Sequence, residues 1–219
     1  MRYKFTLTGR SAMLMHFDDV QWSDEISEWR LDPKNTKKKG ETSGDDRRPA
    51  FTWIGYAYHD GKHLAMPSAN LSGCLRRAGS RVPMGRMRTL KELAVSGIIL
   101  EGEFLEFRNA GQLVPIAPIN KLRDVPEFKK HVDAVRSMGF DLDVRRAPVG
   151  MSKHVRVRPR FNEWSVSGTL EVYASEITHE LLVSLFDQAG RVGLGDWRPG
   201  SPKSPGPFGM YLSKLEKLK

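Results

Sequence analysis

Cysteine is nearly absent from this chain: Cys74 is the single one among 219 residues. One thiol cannot build an internal disulfide framework or a cysteine-rich zinc site. Long apolar runs are missing too. No stretch approaches the roughly 20 apolar residues that a membrane-spanning helix needs. The N-terminal MRYKFTLTGR alternates charged and apolar residues where a signal peptide would carry a continuous apolar core. No membrane partner is therefore expected, and a cytoplasmic location is. Acidic residues are under-represented: 26 Asp and Glu stand against 35 Lys and Arg, a formal net charge of +9. That excess favours an anionic partner, nucleic acid first. A merely basic protein is the plainer alternative. Internal repeats and heptad arrays are also missing, which excludes solenoids and coiled coils.

What is present suits a folded chain, 39% hydrophobic and 28% charged, of a length that fits a single domain, 1–219, with elaborations. Tyr3, Phe5 and Leu7 alternate with Lys4, Thr6 and Thr8, the period of a strand with one buried face. The polar stretch 16–50, with Lys37–Lys38–Lys39 and many Gly, Asp and Ser, is expected as a flexible insertion whose first part Trp22 and Trp29 anchor. FTWIGYAYHDGKHLAMP reads as a hairpin about Asp60–Gly61. Ser68 is expected to cap a helix running to about Ala78, with Leu71 and Leu75 on its core face. Ile98–Phe107 alternates as a strand. Residues 109–150 read as a second insertion that contains one helix.

HVRVRPRF places Arg156, Arg158 and Arg160 on one strand face and Val155 and Val157 on the other. A further strand over Trp164–Val172 and a helix capped by Thr178, with a stripe of Leu181, Leu182, Leu185, Phe186 and Ala189, follow. PFGMYLSKL closes the chain as a short strand. Without the insertions this order fits an α+β fold with a ferredoxin-like core, an antiparallel sheet with helices on one face.

The densest punctuation is RVGLGDWRPGSPKSPGPFGMY, Arg191–Tyr211, with Gly193, Gly195, Gly206 and Gly209. It follows a helix and precedes a strand, the reverse of a dinucleotide fingerprint, and no Gly-Lys-Ser/Thr ends it as in a phosphate-binding P-loop. Two readings remain. One is a proline-stiffened surface connection; the other is a cradle whose amides approach phosphates while Arg191, Arg198 and Lys203 add charge. Arg156, Arg158 and Arg160 repel one another unless an anion or acidic partner sits among them, so a phosphate-facing strand competes with a solvated face. Ser68, Asn70 and Ser72 lie near a helix N-terminus, which suits a phosphate as well as ordinary capping. Trp197, with Trp53 or Tyr56, offers ring faces to bases. Asp18 and Asp19, with Asp24 and Glu25, form either an acidic turn or a divalent-cation site, and His16 is a candidate general base. No metal or other cofactor is expected, and magnesium enters on a nuclease reading alone. Cys74 belongs to the core.

Two stretches together resemble the RAMP superfamily of CRISPR-associated proteins, most closely its backbone-subunit branch, the Cas seven family. Met66–Arg76, MPSANLSGCLR, is similar to the family's I-P-G-S-S-L-K-G-x-L-R segment. GLGDWRPGSPKSPGPFGMY is similar to its C-terminal G-x-G-x-R-x-x-G-F-G loop. Ser72 stands where the family has lysine, Ser68 where it has glycine, and Gly200–Pro205 is extra. The resemblance implies an RRM-like core that binds guide RNA along its backbone, with copies assembled head to tail into a filament. It also implies an inserted thumb, for which 109–150 is the candidate. The implied partners are single-stranded RNA, or single-stranded DNA, and other effector subunits. The residues expected to bind the nucleic acid are Ser68, Asn70, Ser72 and Arg76, then Arg156, Arg158 and Arg160, then Arg191, Gly193, Gly195, Trp197, Arg198, Lys203, Gly206 and Gly209. Some members cut RNA with an aspartate after the first strand, which brings in Asp18 and Asp19. Two alternatives stay open: a RAMP-type endoribonuclease, or a mimic that engages or inhibits an effector complex.

Overall fold

The structure is a computed structural model that describes residues 1–35, 44–149 and 152–219. The Lys37–Lys39 run lies outside them. In chain order the strands and helices begin β1 (Arg2–Gly9), β2 (Met13–Leu14), α1 (Val20–Leu31), β3 (Ala65–Pro67), α2 (Ser68–Gly79), β4 (Pro83–Met84), β5 (Arg88–Thr89) and α3 (Leu93–Ser96). They continue with β6 (Ile98–Leu100), β7 (Phe104–Asn109), α4 (Ile116–Asn120), α5 (Phe128–Ser137), β8 (Asp141–Val149), β9 (Ser152–Phe161), β10 (Trp164–Val172), α6 (His179–Val192) and β11 (Tyr211–Lys217). These elements fall into two compact units, the first of residues 1–14, 64–114 and 161–219, the second of 15–63 and 115–160. Nearly all of both expected insertions, 16–50 and 109–150, lies in the second unit.

The first unit is an antiparallel sheet ordered β11-β1-β10-β7-β3, with β6 also paired to β10. Counting the segments β1, β7, β10 and β11 around helices α2 and α6, the sheet order is fourth, first, third, second, compatible with a ferredoxin-like core. The alternation read in β1 decides which face is buried. Tyr3, Phe5 and Leu7 are wholly inaccessible, and Phe5 packs against Phe186 of α6 at 5.8 Å between ring centres. Leu182, Leu185 and Ala189 complete the α6 stripe in the core. A truncation such as Phe186→Ala in such packing costs roughly 3–5 kcal/mol. Thr178 caps α6, its hydroxyl accepting from Leu181 N at 3.3 Å. Lys4, Thr6 and Thr8 point the other way, opposite Thr169, Ser167 and Ser165 of β10. The outer sheet face along these two strands is thus Ser/Thr-rich and lacks the stacking aromatics of an ordinary RNA-recognition sheet.

In the second unit, the segment read as a polar loop begins with helix α1. Asp19 caps it, accepting from Trp22 N at 3.3 Å. The helix buries just Ile26, so its sequence carries no apolar stripe to betray it. Trp22 does anchor this part, donating from Nε1 to Thr52 O at 3.0 Å. The aromatic stretch expected as a strand is instead a 3₁₀ turn, Thr52–Tyr56, that turns Trp53 and Ile54 inward. Trp53 Nε1 donates to Nδ1 of His131 on α5 at 3.0 Å, and the His131 ring bonds Val125 O through Nε2 at 2.7 Å. Gly61 supplies the expected positive φ, +91°, and Asp60 N closes its turn on His63 O. Strands β8 and β9 form an antiparallel hairpin in register from Asp141↔Arg160 to Val149↔Ser152. Among the described residues no helix is long and apolar enough to cross a membrane.

Candidate nucleic-acid interface

Helix α2 has two faces. Leu71, Cys74, Leu75 and Ala78 recur at helical spacing and are buried. Ala69, Gly73 and Arg76 are exposed on the other side, with Ser72 partly so. The helix begins one residue earlier than the sequence suggests. Pro67 is the cap residue, and Ser68, expected as the cap, sits inside the first turn with its hydroxyl donating to Gly102 O at 2.6 Å. A proline there offers no side-chain oxygen to the free amides, so capping is not what Ser68 does. Asn70 Nδ2 reaches Met66 Sδ at 3.6 Å.

The two stretches that carry the family resemblance meet in this unit. Cys74 Sγ bonds Ala189 O at 3.3 Å and lies 3.6 Å from the Tyr211 hydroxyl. Burial pushes the Cys74 thiol up to about 11, and the Tyr211 phenol is likewise raised by burial. Arg77, next to the motif, donates to Gly200 O in the glycine-rich loop. Ser68 and Asn70 do not join this contact. Arg77 lies nine positions after Ser68, about 13 Å of helix at a 1.5 Å rise.

The glycine-rich loop folds on its own chain. Gly209 has φ +73°, and a Cβ on it would lie 1.8 Å from Leu194 O. Gly195 has φ +76°, with Leu14 O at 2.4 Å from the same ideal atom. These positions need glycine because the protein's own backbone fills the space a side chain would take. Gly193 ends α6, and Gly206 lies against Trp197. The loop is stitched by Leu194 N to Gly209 O at 2.9 Å and Gly209 N to Ala12 O at 2.8 Å.

The extra Gly200–Pro205 segment is a closed excursion. Arg198 O accepts from both Ser201 N and Gly206 N, at 3.0 and 3.1 Å, and Trp197 Nε1 donates to Pro205 O at 3.2 Å. Trp197 therefore packs inside the loop, tilted on Phe208 at 5.5 Å. Arg198 is half-buried and donates to Gly195 O at 2.6 Å. Lys203 stands exposed at the excursion's tip, and Arg191 is exposed on α6.

The arginine strand alternates as expected: Val155, Val157 and Pro159 are buried while Arg156, Arg158 and Arg160 are partly exposed. Acidic side chains sit among the arginines. Asp143 is directly opposite Arg158 and Asp141 opposite Arg160. Arg145, opposite Arg156, is held by Asp143 at 2.8 Å. Arg156 Nη1 lies 3.5 Å from Asp46 Oδ1 and donates to the Tyr56 hydroxyl at 3.4 Å. Asp46 is 2% exposed and also accepts from Val157 N and Tyr56 Oη, each at 3.3 Å. Burial beside Asp46 pushes the Tyr56 phenol up to about 12. The repulsion that the sequence left to an anion or an acidic partner is thus relieved largely by carboxylates of the second unit.

The remaining candidates separate. Trp53 is wholly buried and offers no face to a base. His16 meets Tyr56 edge-on at 4.3 Å. Asp18 is exposed, Asp19 is the α1 cap, and Glu25 pairs with Arg123. Among the described residues no three His, Cys, Asp or Glu side chains come together as a metal ion requires. Sequence reading missed Arg81, Arg86, Arg88 and Lys91, all exposed around the β4–β5 hairpin. The available signal was a run from Arg76 to Lys91 with six cations and no acid.

The fold and strand order define the class: an α+β protein with an antiparallel sheet compatible with a ferredoxin-like core. No protein-family model and no curated protein matches the chain. Among solved structures it is similar to the crystal structure of Cmr6 from Pyrococcus furiosus, with 11% identity over 98% of each chain and a TM-score of 0.37. A likeness at that score carries no inference about function.

Proposed function

We propose that this protein binds single-stranded RNA along its sugar–phosphate backbone, as a RAMP-type subunit of a CRISPR effector assembly. The observation that carries the reading is the meeting of Met66–Arg76 with the glycine-rich loop, through Cys74, Tyr211 and the Arg77–Gly200 contact. Stretches more than a hundred residues apart build one substructure, and both carry the family resemblance. The outer face of α2 supports it chemically. Gly73 stands in the middle of that helix, exposed, and a Cβ there would meet nothing within 4 Å. Glycine costs roughly 0.5–1 kcal/mol against alanine in a helix, and no internal packing accounts for it. Beside it Ser72 and Arg76 are one turn apart, so a phosphate can come close to a bare stretch of helix and meet a guanidinium and a hydroxyl. Head-to-tail assembly along the strand, with other effector subunits as neighbours, belongs to the same proposal.

The test uses the full chain and a fluorescein-labelled oligouridylate, with affinity read against salt. Gly73→Ala stabilises the fold by about 1 kcal/mol in urea and weakens RNA binding, because the added methyl group meets the strand. Arg76→Gln lowers the slope of log affinity on log salt by about 0.7. Salt-independent binding, or none, overturns the proposal.

A further inference from the structure

The β4–β5 hairpin is the other place where cations gather in the first unit. Residues 76–91, RRAGSRVPMGRMRTLK, hold six cations and no acid. The fold holds the base of the hairpin firmly. Val82 and Leu90 are buried at 3% and 0% exposure, and Leu90 N donates to Val82 O at 3.0 Å. Gly79, at the end of α2, lets the Leu90 backbone in: a Cβ there would lie 2.9 Å from Leu90 C and O. Pro83↔Thr89 and Met84↔Arg88 pair above that base, and Gly85 turns the chain at φ +75°.

Beyond the base every residue from Pro83 to Thr89 is exposed except the partly buried Met84. Arg81, Arg86, Arg88 and Lys91 are exposed, and none of them makes a side-chain hydrogen bond or ion pair among the described residues. Between Arg86 and Arg88, Met87 is 94% exposed, the most exposed of the large apolar side chains among the described residues. Four like charges left together around a short hairpin repel one another, and an outside anion relieves this. Three of the four are arginines, whose planar fork suits phosphate oxygens better than a lysine-rich membrane patch does.

We infer that this hairpin is a separate nucleic-acid contact, with Arg81, Arg86, Arg88 and Lys91 holding successive phosphates irrespective of sequence and Met87 resting on a base or ribose. It rests on the RNA-binding reading and adds to the α2 face a second grip on the strand. Phosphate contacts of this kind add slope to the salt dependence, about 0.7 per contact on single strands. The Met87 contact adds affinity that salt does not remove.

The experiment compares the full-length protein with Arg86→Gln/Arg88→Gln, using the labelled oligouridylate across a salt series. Both side chains lack partners among the described residues, so the double variant melts no lower than the wild type. Its salt slope falls by about 1.4 and its affinity near 0.1 M salt falls roughly tenfold or more. Met87→Ser leaves the slope unchanged and weakens binding at high salt. If the wild type binds and the double variant matches it in slope and affinity, the hairpin assignment is overturned while the RNA reading stands. If the wild type does not bind RNA, both are overturned. Vesicles containing phosphatidylserine serve as the second probe. Loss of vesicle binding in the double variant, with RNA binding intact, assigns the hairpin to a membrane surface and overturns the inference.

Discussion

Strand β9 and the β4–β5 hairpin spell similar sequences, HVRVRPRF over 154–161 and RVPMGRMR over 81–88, yet the fold treats their charges in opposite ways. Around β9, Asp141 and Asp143 stand in register across the hairpin and Asp46 is buried beside Arg156. Around β4–β5, the chain offers no acid from Arg76 to Lys91, and the four exposed cations have no partner among the described residues. A run of arginines is evidence of an anionic ligand only where the fold supplies no carboxylates. The denser run was the more persuasive in the sequence, and the sparser one is the freer in space.

The contrast breaks most visibly at Asp46. Asp46→Ala removes a buried carboxylate that accepts two hydrogen bonds and faces Arg156, so it lowers unfolding stability by about 3 kcal/mol in urea. RNA affinity of the folded fraction stays the same. An unchanged urea midpoint would show that the β9 charges are not held from within.

A second internally satisfied group in the same unit gives the contrast a pH dependence. His131 is wholly buried, and because Trp53 donates to Nδ1, the ring's proton sits on Nε2 and goes to Val125 O. Burial holds its pKa below the ordinary value. The unfolded chain then takes up the proton first as pH falls. Stability is whole above about pH 6.5 and is lost progressively below it, towards the depressed folded value. Urea midpoints measured at about pH 8, 7 and 5.5 should be equal at the first two and lower at the third; a flat series contradicts this account of His131.

Arg156→Gln sharpens the comparison from the other side. It removes a partly exposed partner of Asp46, so a stability loss of about 1 kcal/mol is expected, with little change in the salt slope. The smallest effect concerns Cys74. Its burial and raised thiol pKa leave it unreactive towards a thiol reagent in the native protein, and colour should develop at the rate of unfolding.

Much of the first unit was legible because its elements obey simple periods. The two-residue alternation of β1, the strand β10 and the α6 stripe with its Thr178 cap stand where the pattern puts them. Helix α1 was not legible, since a helix that buries Ile26 alone leaves no stripe. The Thr52–Tyr56 turn was misread as a strand because Trp53 and Ile54 carry strand-like residue types while tertiary packing bends them inward. At the candidate site the sequence identified the loop but not the purpose of its glycines. Gly209 and Gly195 make room for Leu194 O and Leu14 O, and a close approach within the chain leaves the same mark in a sequence as a close approach to a ligand. The hairpin escaped notice for the converse reason: its information is a missing partner, and a missing carboxylate is visible only once the neighbours are known.

The central claim is that the free charges, and not the dense ones, meet RNA. It is tested most directly by the salt dependence of oligouridylate binding for three proteins: the wild type, Arg86→Gln/Arg88→Gln and Arg156→Gln/Arg158→Gln. The account predicts that the hairpin variant loses about 1.4 from the slope without any loss of stability. It predicts that the strand variant keeps the wild-type slope and loses stability. A slope that falls in the strand variant and holds in the hairpin variant would contradict it.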